Sequence, residues 1–274
     1  MTSRIRIHFA FLITLAAIVG CSDSVEVPTP EDSREPDYGS MPTWFGTGSS
    51  DTTGISKSQL QDPEAAWMTL WLTSDLVAPQ EPYERLLRDI TAIRDQYSEL
   101  DPPLKGVFRR YWNPSILRVG LTADAVDQYL DGTYADLDSL NSLFGLETVL
   151  ENFLEPGEPG SITLIFRGRL HPARLAEFYE QVDTVRYTAI AWWAGDGHRI
   201  YPWYADGKLT YLFREGQGDC LAGCTMNRYW YFRTDSEGNI DFVGGYTAWQ
   251  DDREPAWWPE AARNRHEFDD GELE

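Results

Sequence analysis

The sequence predicts an α+β protein: a mixed or antiparallel sheet built on ferredoxin-like β-α-β units, then a C-terminal β-meander tipped by a disulfide. Three observations carry this expectation. Two successive stretches, 115–154 and 161–193, each read as strand, helix, strand. From Arg199 onward, aromatic-rich runs are separated by short turn signals, the pattern of consecutive hairpins. Two cysteines, Cys220 and Cys224, fall between two of those runs.

The chain opens MTSRIRIHFAFLITLAAIVGCSDS. Arg4 and Arg6 form a positive start, and Phe9 to Val19 an apolar run shorter than the roughly 20 residues a membrane span needs. Small residues then lead into Cys21. This is the form of a secretory signal, so residues 1–20 are set aside from the fold. The tetrapeptide Ile18-Val19-Gly20-Cys21 resembles the lipobox of bacterial lipoproteins. That resemblance implies cleavage before Cys21, a diacylglycerol on its sulfur, and anchoring in a lipid bilayer through the acyl chains. Under the sorting pattern of such proteins Ser22 favours the outer membrane, although Asp23 follows it. Residues 21–61 are rich in Pro, Ser, Gly, Thr and acids, and read as a flexible tether.

Residues 62–250 read as a single α+β domain. AAWMTLWL (65–72) is apolar throughout and fits a strand or a buried helix equally. After Pro82, apolar residues at Tyr83, Leu86, Leu87, Ile90, Ile93 and Tyr97 recur at three- and four-residue steps, which predicts an amphipathic helix ending before Asp101-Pro102-Pro103. SILRVGL (115–121) is a strand, with Thr122 placed to cap the helix ADAVDQYLDG. A second short helix, YADLDSLNSLFG, and a returning strand over Leu146–Leu154 complete the first unit. SITLIFRGRL, then HPARLAEFYEQV with Pro172 in its first turn, then VRYTAIAWW repeat the order.

Four strands follow: RIYPWYA, KLTYLFRE, NRYWYFRTD and NIDFVGGYTAW. Asp206-Gly207 between the first two is a strong hairpin signal. Residues 251–274 are acidic and turn-rich, expected to be partly ordered through Trp257 and Trp258 and loose at the very end. Lipidation of Cys21 leaves Cys220 and Cys224 as an even pair in an oxidising compartment. Zinc would need two further ligands, and His198 and His266 are not at ligand spacing. A redox pair more often takes the form C-x-x-C at a helix start. A structural disulfide closing the small loop is the expectation. GxGDCxxGC between aromatic strands, preceded by LHPARLAEFYEQV, also resembles a module of uncharacterised secreted bacterial proteins over about residues 115–245, with Leu221 where that module usually has proline. The resemblance implies an extracytoplasmic domain and no particular activity.

The chain carries 23 basic and 44 acidic residues, a net charge of −21, and cleavage of the leader would remove Arg4 and Arg6 to leave −23. Such a surface repels phosphate backbones, so nucleic acid is not an expected partner. Lysine is confined to Lys57, Lys105 and Lys208, and acidic, lysine-poor surfaces suit salty surroundings. No G-x-S-x-G, H-E-x-x-H or phosphate-binding glycine loop is present. His171 reads as a turn residue at a helix start. His198 would act as a base only beside a carboxylate such as Asp196 or Asp219. Acid pairs such as Glu147 with Glu151 and Asp136 with Asp138, and Asp131 beside them, read as solvated surface, without calcium-loop spacing. The expectation is no catalytic residue, no metal and no cofactor. The feature above background is 11 Trp and 14 Tyr. Trp192, Trp193, Trp203, Trp230 and Trp249 would bind a glycan or peptide if they line an open face, and otherwise form core. The resulting functional expectation is an anchored envelope protein with a non-enzymatic binding or structural role, its partner an envelope protein or glycan. Glycan or peptide binding through exposed aromatics is the first alternative, an atypical hydrolase the second, and redox chemistry at Cys220 and Cys224 the third.

Overall fold

Local chemistry fixes where each element starts and stops. The computed structural model describes residues 42–43, 45–100, 104, 112–192, 197–220 and 223–271, the side chains of 112–114, 191–192 and 266–271 excepted. Cys21, the leader, the tether as far as 41, and Trp193 lie outside the described residues, as does the side chain of Trp192. The elements are α1 (Ile55–Ser58), α2 (Pro63–Thr73), α3 (Gln80–Gln96), β1 (Trp112–Leu121), α4 (Ala123–Leu130), α5 (Asp138–Phe144), β2 (Leu146–Asn152), β3 (Gly160–Phe166), α6 (Pro172–Tyr179), β4 (Val185–Trp192), β5 (Arg199–Ala205), β6 (Lys208–Gln217), β7 (Met226–Thr234), β8 (Ile240–Thr247) and α7 (Trp258–Gly271). All belong to one compact unit, Pro36–Glu274.

AAWMTLWL is helical. Asp62 caps α2 by accepting the N–H groups of Glu64 and Ala65 at 3.0 Å each, Pro63 occupies the first turn, and Ser74 ends the helix in a left-handed conformation. The helix is apolar on every side because it is buried on nearly every side, which is why its period is unreadable. In α3 the predicted stripe of Leu86, Ile90 and Ile93 is buried, and the helix begins two residues before Pro82.

The two β-α-β units form one antiparallel sheet with strand order β2-β3-β1-β4, the ferredoxin-like arrangement. Leu117 lies opposite Leu164, and Val119 opposite Ile162. Their side chains join Val126, Phe144, Phe166, Leu175 and Tyr179 in a core between the sheet and its helices. Thr122 caps α4 as its position suggests.

The meander forms a second, separate antiparallel sheet in sequential order β5-β6-β7-β8. Asp206 and Gly207 both have positive φ, 51° and 73°, the geometry of a two-residue hairpin turn that favours glycine at the second position. Alternation sends Tyr229, Tyr231 and Arg233 to one face and Trp230 and Phe232 to the other. The second face packs on α2 and α3, with the Tyr97 ring 5.2 Å from that of Phe232. The first is covered by α7 and the two tryptophans at its start, the Trp258 ring lying 4.6 Å from that of Tyr229. A four-stranded sheet can therefore be aromatic on both faces, since each meets a helical layer.

The β-α-β units and the meander form two sheets, each with its own core, and the partly ordered tail expected through Trp257 and Trp258 includes α7. One expectation is corrected here. The tether does not extend to residue 61: Gly46 and Gly48 donate to the carbonyls of Leu72 and Thr73, Thr47 Oγ1 donates to Asp75, and Ile55 and Ser58 are buried. Its polar composition satisfies backbone and side-chain hydrogen bonds against the rest of the unit, so few apolar residues are needed to hold it. The acidic tail holds α7, whose Ala261 is fully buried and whose Glu260 bonds the meander. The connection between α2 and α3 joins the halves. Val77 bridges Leu170, His171 N–H donates to Leu76 carbonyl at 2.9 Å, and Arg174 Nε donates to Ser74 carbonyl at 3.0 Å.

Candidate functional site

A cleft of about 430 Å³ opens between α3 and two turns of the meander. Glu81, Glu84, Arg85 and Arg88 line the helical wall. Tyr204, Gly207 and Leu209 from the first hairpin, and Thr234, Asp235 and Ser236 from the last, line the other, with Pro42 at the rim. Spacings of three and four residues place the charged side chains on one helix face. Beneath the cleft lies Asp89, 2% exposed. Its Oδ2 accepts hydrogen bonds from Arg85 Nε at 2.8 Å, Tyr211 OH at 3.0 Å and Thr234 Oγ1 at 2.5 Å. Arg85 also donates to Thr234 Oγ1 at 3.2 Å and to the carbonyl of Asp235. One guanidinium thus ties the helix to the turn opposite. Burial first, then the adjacent Asp89 carboxylate, holds the Tyr211 hydroxyl well above the ordinary tyrosine range, so it stays a donor. Asp235 closes its own turn, accepting the N–H groups of Glu237 and Asn239. The cleft walls are therefore set before any ligand arrives.

Sequence reasoning missed this site. Its one legible signal was Asp89 itself, an acid beside Ile90 and between Leu86 and Ile93 on the apolar stripe of α3. Arg85 stands four residues before it, the spacing of a helical ion pair. The partners Tyr211 and Thr234 are more than a hundred residues distant and left no local trace.

Cys220 and Cys224 are joined in a disulfide, their Cα atoms 4.0 Å apart, in the connection between β6 and β7. Cys224 Sγ packs directly over Gly216 of β6, where any Cβ would overlap the sulfur and stand 2.9 Å from the Gly197 carbonyl. The Gly216 N–H donates to His198 Nδ1 at 3.3 Å. No group of three His, Cys, Asp or Glu side chains able to hold a metal occurs among the described residues. His171 stands at the start of α6, as its position suggests, but half-buried against the connection between α2 and α3, and burial, then the charge of Arg174, holds its pKa down at about 4. Glu147, Glu151, Asp131, Asp136 and Asp138 are exposed.

The aromatics are core rather than a binding face among the described residues. Trp203 and Trp230 are each 6% exposed. Trp203 stacks on Tyr231 with ring centroids 5.5 Å apart and donates through Nε1 to Glu260 at 3.4 Å. Glu260 also accepts from Tyr231 OH and Arg233, so α7 is fastened over this face. Of the named tryptophans whose side chains are described, Trp249 alone is substantially exposed, at 37%, with the Arg228 guanidinium 5.8 Å from its ring and from that of Trp230. In comparisons with known proteins, no family model, curated protein or solved structure matches the chain.

Proposed function

We propose that the chain is an acyl-anchored lipoprotein of the bacterial envelope, outer membrane favoured by Ser22, whose folded unit has a non-enzymatic binding role exercised at the cleft beside α3. The observation that carries the anchoring is the leader: Arg4 and Arg6, the apolar run from Phe9, and Ile18-Val19-Gly20-Cys21. The Cys220–Cys224 disulfide fits the same oxidising address. Binding is supported by the cleft's construction. Its buried charges are committed to one another, which leaves the exposed wall groups to meet a ligand with little reorganisation. The partner is an envelope protein or glycan.

The test is intact mass of the protein extracted from its native membrane, with thiol labelling before and after reduction. The expected product begins at Cys21, carries acyl chains, and shows no free thiol until reduced. Cys21→Ser should leave the leader uncleaved and unacylated. An unacylated Cys21 in the unaltered protein overturns the anchoring.

A further inference from the structure

Resting on the reading of the cleft as a binding site, we infer that its occupant is a lysine- or arginine-bearing segment of a partner polypeptide, its cationic head held by Glu81 and Glu84. The charges of the cleft lead there. Four carboxylates border it or lie beneath it, Glu81, Glu84, Asp89 and Asp235, against two guanidiniums, Arg85 and Arg88. Asp89 is matched by Arg85 at 2.8 Å, and its other oxygen lies 3.6 Å from Arg88 Nε. Asp235 is spent on its own turn, including Asn239 Nδ2 at 2.8 Å. Glu81 and Glu84 remain. Both are exposed, they are one helical turn apart on the same face, and neither has a cation within salt-bridge distance among the described residues. Glu84 is oriented by Gln80 Nε2 at 2.5 Å.

The opposite wall favours a long cationic side chain over a bare ion. Tyr204 and Leu209, 9% and 3% exposed, leave a narrow apolar edge on that wall for a methylene stem to touch while its charged end reaches the carboxylates. About 430 Å³ accommodates one or two side chains and no folded element. The cleft is open along one side, so the main chain of an extended segment can run past it. Its surplus of two negative charges, within a chain of net −21, repels phosphate and anionic headgroups and attracts a basic segment. Because Arg85 holds the turn at 235 and the Asp206-Gly207 turn is fixed by its backbone, the segment meets a formed receptacle.

The experiment titrates the full acylated chain, in detergent micelles at low salt, with hexalysine, hexaglutamate and spermidine by calorimetry. Hexalysine should bind, and Glu81→Gln/Glu84→Gln should weaken it at least tenfold. Asp252→Asn/Glu254→Gln removes the same charge from exposed positions beyond β8 and should leave binding within twofold. Equal weakening by both pairs would reduce the effect to bulk charge and overturn the inference. So would spermidine binding as tightly as hexalysine, which would make the ligand a free polyamine. Hexaglutamate binding that Arg88→Gln abolishes would keep the cleft as a binding site and overturn only its partner's charge. Binding by none of the probes also refutes the basic segment, while intact mass at Cys21 in the same preparation judges the anchoring separately.

Discussion

Replacing Asp89 tests whether the charge network under the cleft holds α3 to the meander. The carboxylate is 2% exposed and accepts three hydrogen bonds, one from a guanidinium that is itself 16% exposed. Asp89→Ala would leave Arg85 without its counter-charge and the fully buried Tyr211 hydroxyl without its acceptor. Breaking a buried pair from one side costs about 3–5 kcal/mol, and the partial hydration of Arg85 places the expectation near the lower end, about 3 kcal/mol. For a unit of this size that is a fall of about 6–12 °C in Tm. Asp89→Asn keeps one oxygen acceptor and should cost less. Urea unfolding gives the free energies, with the slope checked for constancy. In the Arg85→Ala background the Asp89→Ala loss should shrink by about 1 kcal/mol or more, because one variant has already removed the other's partner. Amide exchange in 235–239 should quicken, since Arg85 no longer has a fixed position from which to hold Asp235 carbonyl. A loss under about 1 kcal/mol, or strict additivity with Arg85→Ala, would show that packing alone seats the helix.

His171 has its folded pKa depressed to about 4 from 6.5, so the unfolded chain binds more protons between those values. Stability should therefore be fully present above about pH 6.5, fall on acidification by up to about 3 kcal/mol, and level off below about 4. His171→Gln should flatten that segment of the stability–pH curve, and an unchanged slope refutes the assignment. Gly216→Ala should cost about 1–3 kcal/mol through overlap with the disulfide, and part of that cost should vanish in Cys220→Ala/Cys224→Ala, where the sulfur is gone but the Gly197 carbonyl and the Cβ of residue 224, 2.9 and 3.0 Å away, still crowd the new methyl. The double cysteine variant alone should lose no more than about 2 kcal/mol, as the closed loop is so short. A much larger loss by urea titration would mean the bond holds more than its own hairpin. Arg94→Lys should cost about 1–3 kcal/mol, because Arg94 grips buried Glu64 with two parallel bonds, of 2.6 and 2.9 Å, that an ammonium cannot reproduce. Equal stability of the two forms would show that charge alone suffices there.

What was legible in the sequence was what local chemistry decides. The two β-α-β units announce themselves because each helix has a cap or proline at its start, Thr122 in one and Pro172 in the other, and each strand alternates or runs apolar. The meander shows because turn residues punctuate it. α2 was ambiguous because burial on all sides erases periodicity. Residues 45–61 misled because order there rests on hydrogen bonds such as Thr47 to Asp75 and Arg169 N–H to Ser58 Oγ, which composition does not report. The aromatics were undecidable because alternation assigns Trp203 and Trp230 to opposite faces without saying whether either is covered. Here α2 and α3 cover one, and α7, emerging from what looked like tail, covers the other.

The scarcity of lysine also has a cause inside the fold, distinct from any habitat. Of the four buried acids among the described residues, Asp75 accepts from Thr47 and the Ser49 N–H, and the other three are each met by an arginine: Glu64 by Arg94 at 2.6 Å, Asp89 by Arg85 at 2.8 Å and Glu215 by Arg228 at 3.5 Å. A guanidinium can serve several acceptors at once, as Arg85 does for Asp89, Thr234 and Asp235. An ammonium on a flexible stem would be held less firmly in each place. Each such pair takes up one charge of either sign, so the interior is neutralised and the net −21 is left to the rest of the chain. Salt weakens repulsion between the exposed acids more than it weakens these pairs, in which the acid of each is buried. The unpaired carboxylates of Glu81 and Glu84 thus stand out at the cleft, where the arginine beside them, Arg85, already belongs to Asp89.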